Sequence, residues 1–190
     1  EERNTRNVVV DEADFNKLYE SAEETLKPIL LMAYDTGMRK REILDLTWSR
    51  VDLKEGHVTL GEADTKTKEA RRVYLTKRVL SMLQNLPRSL SGYVFVNPKT
   101  GKPWVQIEKM FYRARNEAGL AHVWFHDLRR SFITNARKRG VSESVVMRMS
   151  GHKTRAVFDR YNIVDDDDLR IAVTRIEEGR KVVLGIARSK

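Results

Sequence analysis

Two short β-rich runs, His57–Leu60 and Arg71–Leu75, interrupt a chain that otherwise carries helix signals, and this interruption limits the fold more than any other feature. The residues between them, Gly61–Ala70, are polar, so the pair reads as an antiparallel hairpin with a long tip. Before it, Asp11 and Asp14 mark a helix start, and Phe15, Leu18, Ala22 and Leu26 supply one apolar face. Pro28 suits the first turn of a second helix, which runs to a stop at Gly37. A third, short helix is expected over about 40–46. After the hairpin the pattern predicts a helix over about 77–86, a short strand over 93–96 and a turn cluster at Asn97–Pro103. Helices over about 105–118, 127–138, 142–149 and 154–161, and one from 166 onward, complete the chain. The expected class is α+β: mostly α with a small antiparallel β-sheet.

A chain of 190 residues can bury one sizeable core, so one domain is expected, two at most. Lys and Arg outnumber Asp and Glu by 36 to 27, giving +9 at neutral pH. That excess points to a polyanionic partner, nucleic acid first and an anionic membrane second, although a merely basic protein has the same balance. There is no cysteine, which excludes disulfides, thiolate metal sites and a thiol nucleophile and fits a reducing compartment. The longest apolar run, about Ile29–Ala33, is far below the ~20 residues that span a bilayer, and the first residues do not resemble a signal peptide. The expected setting is cytoplasmic, with no membrane partner.

Four clusters carry residues able to do chemistry. In Thr36–Leu44, Arg39 sits where two helix ends meet and shares a helix face with Glu42; an ordinary surface ion pair gives the same pattern. In the hairpin tip, Lys66 and Lys68 are able to reach a phosphate or donate a proton, or to remain solvated loop charges. His126 and Arg129 lie three apart at a helix start, where N–H donors, positive charge and the macrodipole favour a phosphate; a locally bonded His and a surface Arg are the plain alternative. Last, Ser150-Gly151-His152-Lys153 closes one helix and is followed, nine residues after His152, by Tyr161, a type and context that also fits a half-buried packing residue.

Their combination and order resemble the catalytic domain of the tyrosine recombinase, or phage integrase, family. The resemblance rests on Arg39 within Thr-Gly-Met-Arg, Glu-Ile-Leu-Asp-Leu-Thr-Trp from Glu42, Lys66, His126-Asp127-Leu128-Arg129-Arg130-Ser131-Phe132, Gly151-His152 and Tyr161, and it extends over about Asp11–Leu184. It implies a site-specific recombinase that cuts and rejoins DNA strands through a 3′-phosphotyrosyl intermediate, with no cofactor, metal or ATP. By the same resemblance Tyr161 attacks the phosphate and Arg39 and Arg129 hold its non-bridging oxygens. Lys66 protonates the departing 5′-oxygen, His126 acts as general acid/base, His152 hydrogen-bonds the phosphate, and Glu42 orients the site. Lys66 is preferred to Lys68 because it lies nine residues before Leu75, the family's hairpin spacing; Lys68 stays open.

The chemistry gives each residue type a reason. Phosphoryl transfer puts charge on equatorial oxygens that two guanidiniums neutralise without a metal. A phenol of pKa ~10 needs a base or a cationic setting to act as a nucleophile, and an alkoxide needs an acid to leave.

Family members usually carry a separate N-terminal DNA-clasping domain. Residues 1–10 read as a linker remnant and 11–190 as the catalytic domain, so a fragment without that domain is expected. Lys40, Arg41, Lys68, Lys99, Lys102, Arg71, Arg113, Arg130 and Lys153 are candidates for binding the DNA backbone, about half of them expected to be solvated surface instead. Asp165–Asp168 read as the acidic start of the last helix rather than a metal site, with Leu169, Val173 and Ile176 as its apolar stripe. The resemblance implies a homotetramer on DNA with the C-terminal tail docked on a neighbour. A type IB topoisomerase would place Lys rather than His at position 126, and a silent DNA-binding regulator on the same fold would have no use for an intact Arg39, Lys66, Arg129 and Tyr161.

Overall fold

The computed structural model describes residues 8–62, 70–159, 164, 166 and 169–177. Its centre is helix α2, Lys27–Thr36, in which every residue from Ile29 to Thr36 is buried. A helix apolar nearly all round has to be wrapped by others, and α1 (Glu12–Glu20), α3 (Lys40–Leu44), α4 (Lys77–Asn85) and α6 (Phe125–Lys138) all pack on it. The hairpin strands β2 (His57–Leu60) and β3 (Arg71–Tyr74) pair antiparallel with Leu60 opposite Arg71. A two-residue strand, β1 (Val51–Asp52), adds to β2 and gives the sheet order β1-β2-β3. Helix α5 (Glu108–Glu117) packs on α1, and α7 (Glu143–Ser150) lies against α6 and β3. A short helix, α8 (Arg155–Asp159), sets Phe158 into a second apolar cluster with Phe132, Ile133, Ala136 and Val146. Residues 169–177 are helical, and among the described residues no helix is long and apolar enough to cross a membrane.

The ends of the helices follow their capping chemistry. The Asp11 carboxylate accepts the Asp14 N–H at 2.8 Å to open α1, and the Thr76 hydroxyl accepts the Val79 N–H to open α4. Helix α6 starts at Phe125, two residues before the expected 127, because the Asp127 carboxylate reaches back to the Trp124 N–H at 2.8 Å. Asp127 is thus the third residue of the helix rather than its cap. The strand expected over 93–96 reduces to isolated bridges, Thr47 with Tyr93 and Val96 with Pro103. Backbone bonds from Val94 to Leu46 and from Trp48 to Gly92 tie this short stretch to the end of α3, and the turn at Asn97 leaves no length for a ladder. Helix α3 stops at Leu44 instead of 46, and α5 begins at Glu108 instead of about 105, where Val105 is exposed. β1 is too short to leave a periodic signal.

One buried ion pair ties three helices together. Asp35, near the end of α2, accepts from Arg78 Nε at 2.7 Å and from the Thr76 hydroxyl at 2.5 Å, while Arg78 also reaches Glu12 on α1. The carboxylate is buried but fully engaged, the condition under which a buried charge is tolerated.

Gly37 ends α2 in the left-handed conformation, with φ +63°. A Cβ at this position would lie 2.4 Å from the Phe132 ring of α6. Gly37→Ala therefore combines a positive φ with overpacking, and we expect it to lower unfolding free energy by about 2–4 kcal/mol. Chemical denaturation measures this, and a loss under about 0.5 kcal/mol, the range of an ordinary surface substitution, would contradict the tight α2–α6 contact.

Candidate active site

Four helix ends meet on one side of α2. Arg39 is the N-cap of α3, and the Glu42 carboxylate, three residues on, accepts its backbone N–H at 2.9 Å. Glu42 also accepts Arg39 Nη1 at 2.8 Å and both terminal nitrogens of Arg71, at 3.1 and 2.6 Å. The Glu42 side chain is 2% exposed and that of Arg71 9%, while Arg39 keeps 22% and faces the opening. Burial alone pushes a carboxyl pKa up, but the bonds and charge of Arg71, with those of Arg39, outweigh it and hold Glu42 below the usual carboxylate range.

Arg129 projects from α6 and is buried. Its Nη1 donates to the Gly37 carbonyl, and its Nη2 lies 3.3 Å from His152 Nδ1 and 3.2 Å from Nε2. His152 follows Gly151, which caps α7 with φ +73° and whose carbonyl accepts from Arg39 Nη2 at 3.3 Å. The Ser150 hydroxyl lies 2.8 Å from His152 Nδ1, and the ring meets Phe158 edge-on at 5.8 Å. Burial, then the charges of Arg129 and Arg39, lower the His152 pKa to about 3. His126 stands exposed in the first turn of α6. Desolvation first and then Arg129 and Arg130 lower its pKa. Both imidazoles are therefore neutral at neutral pH, in a field set by guanidiniums.

Arg39, Glu42, Arg129 and His152 are thus brought together, with His126 on the same helix turn as Arg129. Lys66, Lys68 and Tyr161 lie outside the described residues; α8 ends at Asp159, two residues before Tyr161. The cluster offers guanidinium and imidazole nitrogens to a single anion, and among the described residues no group of carboxylates and imidazoles is arranged to hold a metal.

The DNA-binding candidates divide. Arg71 is not a surface cation: it is spent on Glu42. Arg130 is likewise buried, its Nε 3.9 Å from Asp127. Sequence reading missed both because it judged them by charge. The alternation of β3 held the signal for Arg71, since residues 71 and 73 share a face and Val73 is core. Lys40 pairs with Glu108, Arg41 with Asp45 at 2.7 Å and Arg113 with Glu23 at 2.6 Å. Lys99, Lys102 and Lys153 are exposed. The Ser150 contact to His152 and the Gly37 carbonyl under Arg129 also had no signal in the sequence.

Comparison with known proteins identifies the family and the fold. The family model described as the phage integrase family matches residues 8–168. The chain is 29% identical over 160 residues to the shufflon-specific DNA recombinase of Escherichia coli, covering 84% of this chain and 40% of that protein. It is 26% identical over 157 residues to the integrase of Salmonella phage P22, covering 76% and 41%. This chain therefore spans less than half the length of these two relatives. Among solved structures, XerA recombinase superposes with a TM-score of 0.77 at 24% identity, over 89% of this chain and 65% of that one. XerH site-specific recombinase bound to its difH substrate gives 0.68 at 22%, over 88% and 54%. With a family match over most of its length and the same helix-rich fold around a three-stranded sheet, the chain belongs to the phage integrase family of tyrosine recombinases.

Proposed function

We propose that this chain is the catalytic portion of a site-specific DNA recombinase that works through a covalent phosphotyrosine. The observation that carries the reading is the convergence of Arg39, Arg129 and His152 beside a buried carboxylate that neutralises only part of their charge. Such a cluster is built to hold one anion and to stabilise the charge that develops on its equatorial oxygens.

In this reading Tyr161 Oη attacks the scissile phosphorus, forming a 3′-phosphotyrosyl ester, while the bond to the 5′-oxygen breaks. Lys66 gives the leaving oxygen its proton, with Lys68 as the alternative donor. Arg39 and Arg129 hold the non-bridging oxygens, neutral His152 donates a hydrogen bond to one of them, and neutral His126 takes the phenol proton. One P–O ester replaces another, so the energy of the strand break is retained for rejoining and the step needs neither ATP nor a metal. Phe158 seats α8 against the His152 ring, which supports delivery of Tyr161 from the following residues. Leu169, Ile171, Val173 and Ile176 are each more than 40% exposed on the helical residues 169–177, which supports docking of the C-terminal segment on a neighbouring copy within a tetramer on DNA. Solved recombinases bound to DNA support duplex DNA as the partner, and action on DNA supports a cytoplasmic setting.

A randomised duplex library carrying nicks, quenched with detergent, should yield covalent adducts with the wild type, joined to a 3′ end, and none with Tyr161→Phe. DNA retained by both proteins without any adduct would instead identify a binder. The pH dependence is a second test. A base that must be neutral loses activity as pH falls through its pKa, and that of His126 is lowered. The acid limb of the rate of adduct formation should therefore lie below the ~6.5 of a free imidazole; a limb at or above that value would remove His126 from the role of base.

A further inference from the structure

Each Glu42 oxygen receives two donors. Oε1 takes Arg39 Nη1 and Arg71 Nη1, and Oε2 takes the Arg39 backbone N–H and Arg71 Nη2. Arg71 thus closes the carboxylate from behind with a two-pronged fork, and Arg39 is left with a single side-chain bond to it. The other terminal nitrogen of Arg39 makes a 3.3 Å contact to the Gly151 carbonyl. A carboxylate that lost the Arg71 fork would have lone pairs free for a second Arg39 nitrogen, and the fork-to-fork pair is the stronger arrangement. Arg39 would then turn inward.

Arg71 also lies directly under the turn that leads to His152. A Cβ at Gly151 would sit 2.9 Å from Arg71 Nη1, 3.0 Å from its Cζ and 3.1 Å from its Nε. The side chain is anchored at the last described pair of the hairpin, opposite Leu60, so one guanidinium joins β3, α3 and the α7 cap. Its Nε is buried with no hydrogen-bond partner among the described residues. A buried cation with an unmet N–H is a poor device for stability alone.

We propose that Arg71 is a positioning residue: by saturating Glu42 and supporting the Gly151 turn, it keeps the Arg39 guanidinium and His152 directed at the substrate phosphate. This role rests on the recombinase reading above. It makes Arg71 neither a DNA contact nor a group that touches the reacting atoms.

The test uses the full chain and a nicked duplex recovered from wild-type adducts, carrying at the cleaved position either a phosphate or a neutral methylphosphonate. The methylphosphonate lacks the charge that Arg39 neutralises, so a fault in aiming Arg39 costs less on it. Arg71→Met should form adduct about 100-fold more slowly on the phosphate, as expected for a misplaced phosphate-binding group. Its deficit should shrink to within about 10-fold on the methylphosphonate, with duplex retention unchanged. Arg71→Lys, which keeps the charge but not the fork, should fall between, and it carries the test if the Met variant does not fold. An equal deficit on both substrates would mean a scaffold role only, and weakened retention with a normal rate would mean a DNA contact; either overturns the proposal. Wild-type rates in Arg71→Met overturn it as well. A wild type that forms no adduct on any duplex sinks the recombinase reading, and this role with it.

Discussion

The site depends on one buried carboxylate shared between two guanidiniums. Arg39, Arg71 and Arg129 in a small volume repel one another, and a fold that gathers them needs a buried counter-charge. Glu42 supplies it from below, engaged by two arginines and one backbone N–H and almost fully shielded from solvent. Because one negative charge faces several positive ones, the pocket stays cationic; burial first, and then these arginines, lower the pKa values of His126 and His152.

The second device is a pair of glycines used the same way. Gly37 and Gly151 each end a helix in the left-handed conformation, and each exposes a C-terminal carbonyl that accepts an arginine: Arg129 at Gly37 and Arg39 at Gly151. Helix C-termini carry partial negative charge, so cations are favoured there. Each glycine also lies against a side chain that leaves no room for a Cβ, Phe132 in one case and Arg71 in the other. Arg129 and Arg39 are thus set by backbone groups at the ends of two helices, α2 and α7, both packed on α6. Packing in the core and direction at the site are the same set of contacts.

Much of this was legible from local chemistry. The Pro28 and Gly37 punctuation gave α2 almost to the residue, and the β-rich runs gave the hairpin, because these signals act through the backbone itself. Arg39, His126, Arg129, Gly151 and His152 pointed to one cluster only through their resemblance, taken together, to the tyrosine recombinase family; each alone reads equally well as an ordinary surface or packing residue. What was not legible was long-range. Nothing near Arg71 says that its partner is Glu42, 29 residues earlier, and a basic residue in a basic chain reads as a DNA contact until burial shows otherwise. The expected strand at 93–96 failed for a similar reason: its hydrogen bonds go to Leu46 and to the segment after α3, partners that no periodicity announces.

The claim beneath all of this is that Glu42 is an ionised, saturated counter-charge rather than a neutral acid. Titration of its side-chain carboxyl carbon by NMR, assigned by comparison with Glu42→Gln, tests it directly. The account predicts a midpoint below the ordinary glutamate value, since both oxygens accept from cations. A group with a lowered folded pKa contributes stability that is present above its unfolded value of ~4.3 and is lost as pH falls through the folded one, so melting temperature should drop over that acidic window. A midpoint at or above the ordinary value, with no loss of stability tied to it, would mean that burial wins over the arginines and that the cluster is not held together as described.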